Sequence, residues 1–250
     1  MNDTVSAGPE VEVRTACGAM LYDGSRIDQP GEQVFDRDYW RGRGALEELA
    51  GGRGTVAFVH DGPRRWVLRH YRRGGLIGRA LDDTYLWTGA DRTRSHEEWR
   101  LLRRLRQLGL PVPGAVAARY VRSGPWYRAD LITEELPSRL TLAQALAAQP
   151  VDSRRWHAIG RCVGRLHAHG VRHADLNAHN LVLGQQDDVY VLDFDRGRIT
   201  QRGAWERSVL ARLRRSLDKV TRELPVGRFG DDQWRELMQG VAECASSTSC

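Results

Sequence analysis

The sequence predicts an α+β fold of two lobes, a small β-rich N-terminal one and a larger, mainly helical C-terminal one. Three observations carry this expectation. Between residues 51 and 132 short β-rich runs alternate with tight-turn residues, broken by one helical pattern at Arg94–Leu108. From Leu142 onward apolar residues recur at helical spacing, and Pro137 marks the joint where the period changes. Within the second half stands His173–Gly197, HADLNAHNLVLGQQDDVYVLDFDRG, where two short apolar runs carry a set of acidic and amide residues. The boundaries expected from these signals are a tail over 1–20, the β-rich lobe over 21–136, the helical lobe over 137–243 and a disordered tail over 244–250.

In chain order, residues 1–20 have few periodic apolar positions and read as a tail or an edge strand, and turn residues dominate from Met20 to Trp40. A short helix is expected near Asp36, where Asp-Arg-Asp-Tyr-Trp supplies a cap and a first turn. Gly51–Val59 and Trp66–Tyr71 are β-rich runs joined through Asp61-Gly62-Pro63, a hairpin signature. Gly51, Gly54 and Val56 fit the last two glycines and the valine of a G-x-G-x-x-G-x-V phosphate loop, whereas Leu49 stands at the first glycine. Glycine lets a backbone approach a phosphate and aim N–H groups at it, which makes Gly51 and Gly54 candidate nucleotide-binding positions. A flexible turn is the competing reading.

Trp99, Leu102, Leu105 and Leu108 form the apolar stripe of the next helix, which Gly109 ends and Pro111 and Pro113 forbid from continuing. Its other faces carry Arg100, Arg103, Arg104 and Arg106, an unusually basic surface. Residues 115–121 and 127–132 read as another strand pair. Leu142 and Leu146 mark one helix, and Trp156, Ile159, Val163 and Leu166 a second. His167 and His169 lie near its end, where the helix dipole favours an imidazolium, and no metal-ligand spacing joins them to His173. Two helices follow: Trp205–Val220, with Val209, Leu210, Leu213 and Leu217 inward and Arg207, Arg212, Arg214 and Arg215 outward, and one that Asp232 caps.

The His173–Gly197 stretch reads as phosphoryl-transfer chemistry. Asp175 and Asn180 stand five apart in H-x-D-L-x-x-x-N, and Asp193 follows after the two apolar runs, in the order of the catalytic loop and D-F-G of protein kinases. In that arrangement Asp175 accepts the proton of an attacking hydroxyl, while Asn180 and Asp193 supply hard oxygen ligands for Mg2+ on the phosphates of ATP. The competing reading is a hairpin whose polar residues only make turns; it leaves the order and spacing unexplained. A kinase carries V-A-I-K on the strand after its glycine loop, with the lysine on the phosphates. Lys219 is the only lysine here. Arg69, which shares a strand face with Val67, is the candidate replacement, with His70 and Arg72 close by. Glu98 stands where a helix glutamate would pair with that cation; Glu97 competes, and a solvated face is the alternative for either.

Composition narrows the setting. The 250 residues include 41% apolar and 28% charged ones, with a mean hydropathy of −0.53, and no apolar run approaches the ~20 residues of a spanning helix. The N-terminal residues lack the basic start and apolar core of a signal peptide, so a cytoplasmic protein is expected. Cys17, Cys162, Cys244 and Cys250 show no paired spacing and read as free thiols. The net charge of +6 is almost entirely arginine. It leaves nucleic acid, an anionic membrane surface and a phosphorylated substrate open as partners, against a plain genomic preference for arginine.

The run VLRHYRRGGLIGRA, the helix exit EWRLLRRLRQLGLPVP, and HADLNAHN followed by VYVLDFDRGR together resemble the 3-deoxy-D-manno-octulosonic acid (Kdo) kinases, a family of lipopolysaccharide kinases with the protein-kinase-like bilobal fold. The resemblance spans about residues 20 to 240. It implies an ATP- and Mg2+-dependent enzyme that phosphorylates the 4-hydroxyl of a Kdo sugar on lipid A, with Asp175 as base. It also implies a peripheral place on the cytoplasmic side of a bacterial inner membrane, with a glycolipid substrate, an anionic membrane surface, and neither nucleic acid nor a protein partner. Ala174 replaces the arginine that reads an activation-loop phosphate in protein kinases, Asp195 the glycine of D-F-G, and Asn177 the lysine of serine kinases. These departures argue for a sugar rather than a protein acceptor. The competing functions are a phosphotransferase for a soluble alcohol of the aminoglycoside or choline type, which a basic chain suits poorly, and a catalytically dead membrane adaptor, suggested by the missing lysine.

Overall fold

The computed structural model describes residues 8–47, 56–72 and 83–246. They fall into two compact units, one of Met1–Gly109 with Pro113–Glu135, the other of Leu110–Val112 with Leu136–Cys250.

The first unit is built on an antiparallel sheet. Its strands are β1 (Glu10–Thr15), β2 (Gly18–Asp23), β3 (Leu46–Glu47), β4 (Val56–Asp61), β5 (Arg64–His70), β6 (Tyr85–Leu86), β7 (Ala115–Ser123) and β8 (Trp126–Glu134), in the order β1-β2-β7-β8-β5-β4-β3 with β6 on β8. The turns follow the residues that demand them. Gly62, at φ +60°, closes the β4–β5 hairpin and Gly124, at φ +58°, the β7–β8 hairpin, conformations that cost glycine nothing. Of the tail or edge strand expected for residues 1–20, the strand is found from Glu10, with β1 at the sheet edge. Met20–Asp23, expected among turns, is the buried second half of β2. Its burial comes from pairing with β7, about a hundred residues away in the chain, where no local signal reaches.

One sheet face buries Trp66 and Leu68 of β5 against Met20, Ile132, Phe35 and Trp40, the last from α1 (Arg37–Gly42). Asp36 caps α1 by accepting from the Asp38 N–H at 2.8 Å, as the sequence pattern predicts. The opposite face carries α2 (Arg94–Gln107), which buries His96, Glu98, Trp99, Leu102 and Leu105 and ends at Gly109, φ +68°. The basic surface expected on α2 is partly neutralised: Arg103 is largely buried with Asp23 at 2.7 Å, and Arg100 meets Asp91 at 2.8 Å.

The second unit carries four helices, α3 (Leu142–Ala148), α4 (Ser153–Ala168), α5 (Trp205–Thr221) and α6 (Asp231–Ser246), with β9 (Val171–Arg172) paired to β12 (Arg198–Ile199) and β10 (Leu181–Leu183) to β11 (Val189–Val191). A Thr141/Gln144 capping box starts α3 and Asp152 caps α4. Helix α6 begins at Asp231, so Asp232 lies inside its first turn rather than at the cap. Helices α4 and α6 cross closely at glycines. A Cβ on Gly160 would stand 1.9 Å from the Leu237 carbonyl oxygen, and one on Gly240 2.2 Å from that of His157. His167 is buried in this unit, edge-on to Trp205, and burial pushes its pKa down to about 4. It is therefore a neutral core residue and not the dipole-stabilised cation expected. His169 is the exposed C-cap of α4, bonded to the Arg165 carbonyl at 2.8 Å.

Candidate active site

In the first unit, strand alternation sets Trp66 and Leu68 into the core on one face of β5 and leaves Arg69 on the face that meets α2. There its guanidinium forms a direct ion pair with Glu98. The Tyr71 hydroxyl donates to the same Glu98 carboxylate at 2.6 Å, and the Arg69 cation lies 4.5 Å from the centre of the Tyr71 ring. Glu98 is almost fully buried, at 2% side-chain exposure, while Arg69 keeps 20%. The neighbours divide cleanly. His70 turns to Asp130 at 2.7 Å, a hydrogen bond that raises its pKa, and Glu97 is exposed. A buried carboxylate that holds an arginine in place is a device for positioning a cation, and Arg69 itself keeps partial exposure. Gly51 and Gly54 lie outside the described residues, between the end of β3 and the start of β4.

In the second unit, the segments bearing Asp175, Asn180 and Asp193 are tied to one another by buried His173. Its Nε2–H donates to the Leu192 carbonyl at 2.9 Å and its Nδ1 accepts the Asp175 backbone N–H at 3.1 Å. Both ring nitrogens are thus committed to the neutral form, and burial lowers the pKa further from the ordinary value. The ring packs edge-on to fully buried Phe194 at 4.8 Å, and Leu192 N–H donates to the Asn180 carbonyl at 2.9 Å. On the other side α5 steadies the loop, where Ser216 Oγ accepts the Ala178 N–H at 3.1 Å.

This scaffold leaves the functional groups outward. Asp175 is 57% exposed and accepts from Arg212 Nη1 at 2.6 Å and from Asn177 Nδ2 at 3.2 Å. Asn180 spends its amide N–H on the Asp175 carbonyl at 3.0 Å, and its Oδ1 accepts no hydrogen bond among the described residues. Asp193 is exposed at φ +61°, a left-handed backbone that costs a non-glycine residue on the order of 1 kcal/mol and that the Phe194 and His173 packing holds in place. An outward amide oxygen and an exposed carboxylate on adjoining segments are the hard donors that Mg2+ takes, so this donor set fits the ion. Tyr71 and Arg212 were not singled out by the sequence. Tyr71 lay two residues from Arg69, just past the end of β5, a readable signal; Arg212 stood in a row of outward arginines with nothing to distinguish it.

The family model described as "Lipopolysaccharide kinase (Kdo/WaaP) family" matches residues 37–240. Several curated proteins named 3-deoxy-D-manno-octulosonic acid kinase are similar. One from Xylella fastidiosa is 43% identical over 93% of this chain and 92% of its own. One from Vibrio parahaemolyticus is 39% identical over 83% and 87%, and one from Stenotrophomonas maltophilia 43% over 84% of each.

Proposed function

Because the chain belongs to the lipopolysaccharide kinase (Kdo/WaaP) family, we propose that it transfers the terminal phosphoryl group of ATP to the 4-hydroxyl of a Kdo sugar on a lipid A-type glycolipid. Such a transfer asks little covalent chemistry of the protein and much positioning. In this reading Asp175 accepts the proton of the sugar hydroxyl. Asn180 Oδ1 and the Asp193 carboxylate hold Mg2+, which supplies charge neutralisation on the phosphates when bound. Arg69, fixed by Glu98 and Tyr71, takes the part of the strand lysine on the phosphates, and Gly51 and Gly54 line them with backbone N–H groups. Among the described residues no helix is long and apolar enough to cross a membrane. The glycolipid acceptor of this reading puts the protein at the cytoplasmic face of the inner membrane as a peripheral enzyme, held by arginines near anionic headgroups at about 1 kcal/mol each. Neither a soluble alcohol nor an adaptor role is favoured by the family match.

The observation that carries the proposal is the His173 tether, which fixes an exposed Asp175 beside the two metal-ligand candidates. The test is Asp175→Asn, nearly isosteric. It should lower turnover by about 10²–10⁴ while leaving the melting temperature and ATP affinity near wild type. Turnover within threefold of wild type would remove Asp175 from the role.

A further inference from the structure

We propose that Arg212 is a specificity-determining residue that holds the carboxylate of the sugar-acid acceptor beside Asp175. This rests on the kinase reading above. Arg212 and Asp175 meet at 2.6 Å, and both are about half exposed, at 50% and 57%. An ion pair so open to water adds little to a fold, so stability does not account for it. The helix that presents Arg212 is nevertheless anchored. Val209, Leu213 and Leu217 seat α5 in the core, and Ser216, one turn on from Arg212, is bonded to the catalytic loop through Ala178. The backbone that carries Arg212 is therefore held against the catalytic loop.

The chemistry of the fork supplies the rest. A guanidinium has five N–H donors, and among the described residues only one of its groups, Nη1, meets a protein acceptor. Its remaining donors are available to a second anion while the first contact persists. Any hydroxyl within hydrogen-bonding distance of Asp175 is one residue's reach from those donors. A Kdo sugar is an acid, with its carboxylate on the same small molecule as the hydroxyl. A phosphate elsewhere on the glycolipid is farther from the reacting oxygen. Planar, bidentate recognition of a carboxylate is what arginine does better than lysine. Bound this way, the acceptor arrives with its hydroxyl turned to the base, and a neutral sugar lacks the anchor.

The experiment compares wild type, Arg212→Ala and Arg212→Lys on three acceptors: the Kdo-bearing glycolipid, its carboxamide analogue, and the glycolipid stripped of its other phosphates. Arg212→Ala should raise the acceptor KM about 10–100-fold with the ATP KM within about threefold, and Arg212→Lys should recover part of the loss. Wild type should lose a similar factor on the carboxamide, and Arg212→Ala should no longer distinguish carboxylate from carboxamide. Removing the phosphates should leave the wild-type-to-variant ratio unchanged. An unchanged melting temperature for Arg212→Ala confirms that the comparison is between folded proteins. Discrimination retained by Arg212→Ala would overturn the inference, as would a fall in kcat with no change in acceptor KM, or a ratio that collapses without the phosphates. A wild-type enzyme inactive on all three acceptors would instead overturn the kinase reading, and this inference with it.

Discussion

Removing Arg69 should damage the protein in two separable ways. The Glu98 carboxylate beneath it is 2% exposed and has the Arg69 guanidinium and the Tyr71 hydroxyl as hydrogen-bond donors. Arg69→Ala deletes a charged partner of a buried anion and leaves the neutral Tyr71 hydroxyl in place. Breaking a buried pair from one side costs about 3–5 kcal/mol. At about 2–4 °C per kcal/mol for a chain of this size, the melting temperature should fall by roughly 6–20 °C. The same substitution should raise the ATP KM and lower turnover together, because the phosphates lose their cation. The double variant Arg69→Met with Glu98→Leu separates the effects. An apolar pair of similar volume is often neutral for stability, so melting should return most of the way to wild type while the ATP defect stays. Arg69→Lys should recover part of both losses, and Glu98→Gln should give a milder form of the ATP defect. Thermal melts read by circular dichroism, with initial rates over a range of ATP, measure both. The reasoning fails if the double variant regains normal ATP kinetics, since Arg69 would then be a structural residue only. It also fails if Arg69→Ala melts within a degree or two of wild type.

Asp193→Ala should abolish Mg2+-dependent activity while Asn180→Ala leaves a measurable remnant, because a carboxylate outweighs a neutral amide as a ligand for a hard cation; activity titrated against Mg2+ shows the order, and a reversed order refutes the assignment. Stability should fall as pH drops from 6.5. Burial depresses the pKa of His96 and of His167 to about 4 and also lowers that of His173. The unfolded chain therefore binds protons first, and stability present above pH 6.5 is lost as pH falls toward 4. The loss is about 3 kcal/mol at most for each of the two deepest shifts. His70, raised by its bond to Asp130, works in the opposite sense, since its contribution is present below 6.5 and lost as pH rises through its raised pKa. Urea midpoints between pH 4 and 8 measure the net, and a midpoint that rises on acidification contradicts the assignment of neutral buried imidazoles.

What could be read from the sequence was local. The β4–β5 turn needed Gly62, the α2 stripe repeated from Trp99 to Leu105, and the order of His173, Asp175, Asn180 and Asp193 pointed to the loop that the structure builds. Three features were not legible, each for a physical reason. Met20–Asp23 lies where turn residues dominate locally, and it is a buried strand only because β2 pairs with β7 about a hundred residues on. His167 carries the same letter whether it caps a helix as a cation or is neutral against Trp205, and only burial decides. Arg212 meets Asp175 across 37 residues of chain, and an arginine on an outward helical face is a solvated charge until tertiary structure supplies a partner.

The central claim is the identity of the acceptor. The purified protein should be given ATP, Mg2+ and, in parallel, a Kdo-bearing lipid A precursor, soluble Kdo and a panel of amino alcohols, with products read by mass spectrometry and phosphorus NMR. The glycolipid should gain one phosphoryl group, on the 4-hydroxyl of its Kdo, and Asp175→Asn should suppress the gain. Phosphorylation of an amino alcohol in preference to the glycolipid, or a glycolipid recovered unchanged by an enzyme that hydrolyses ATP, would contradict the account.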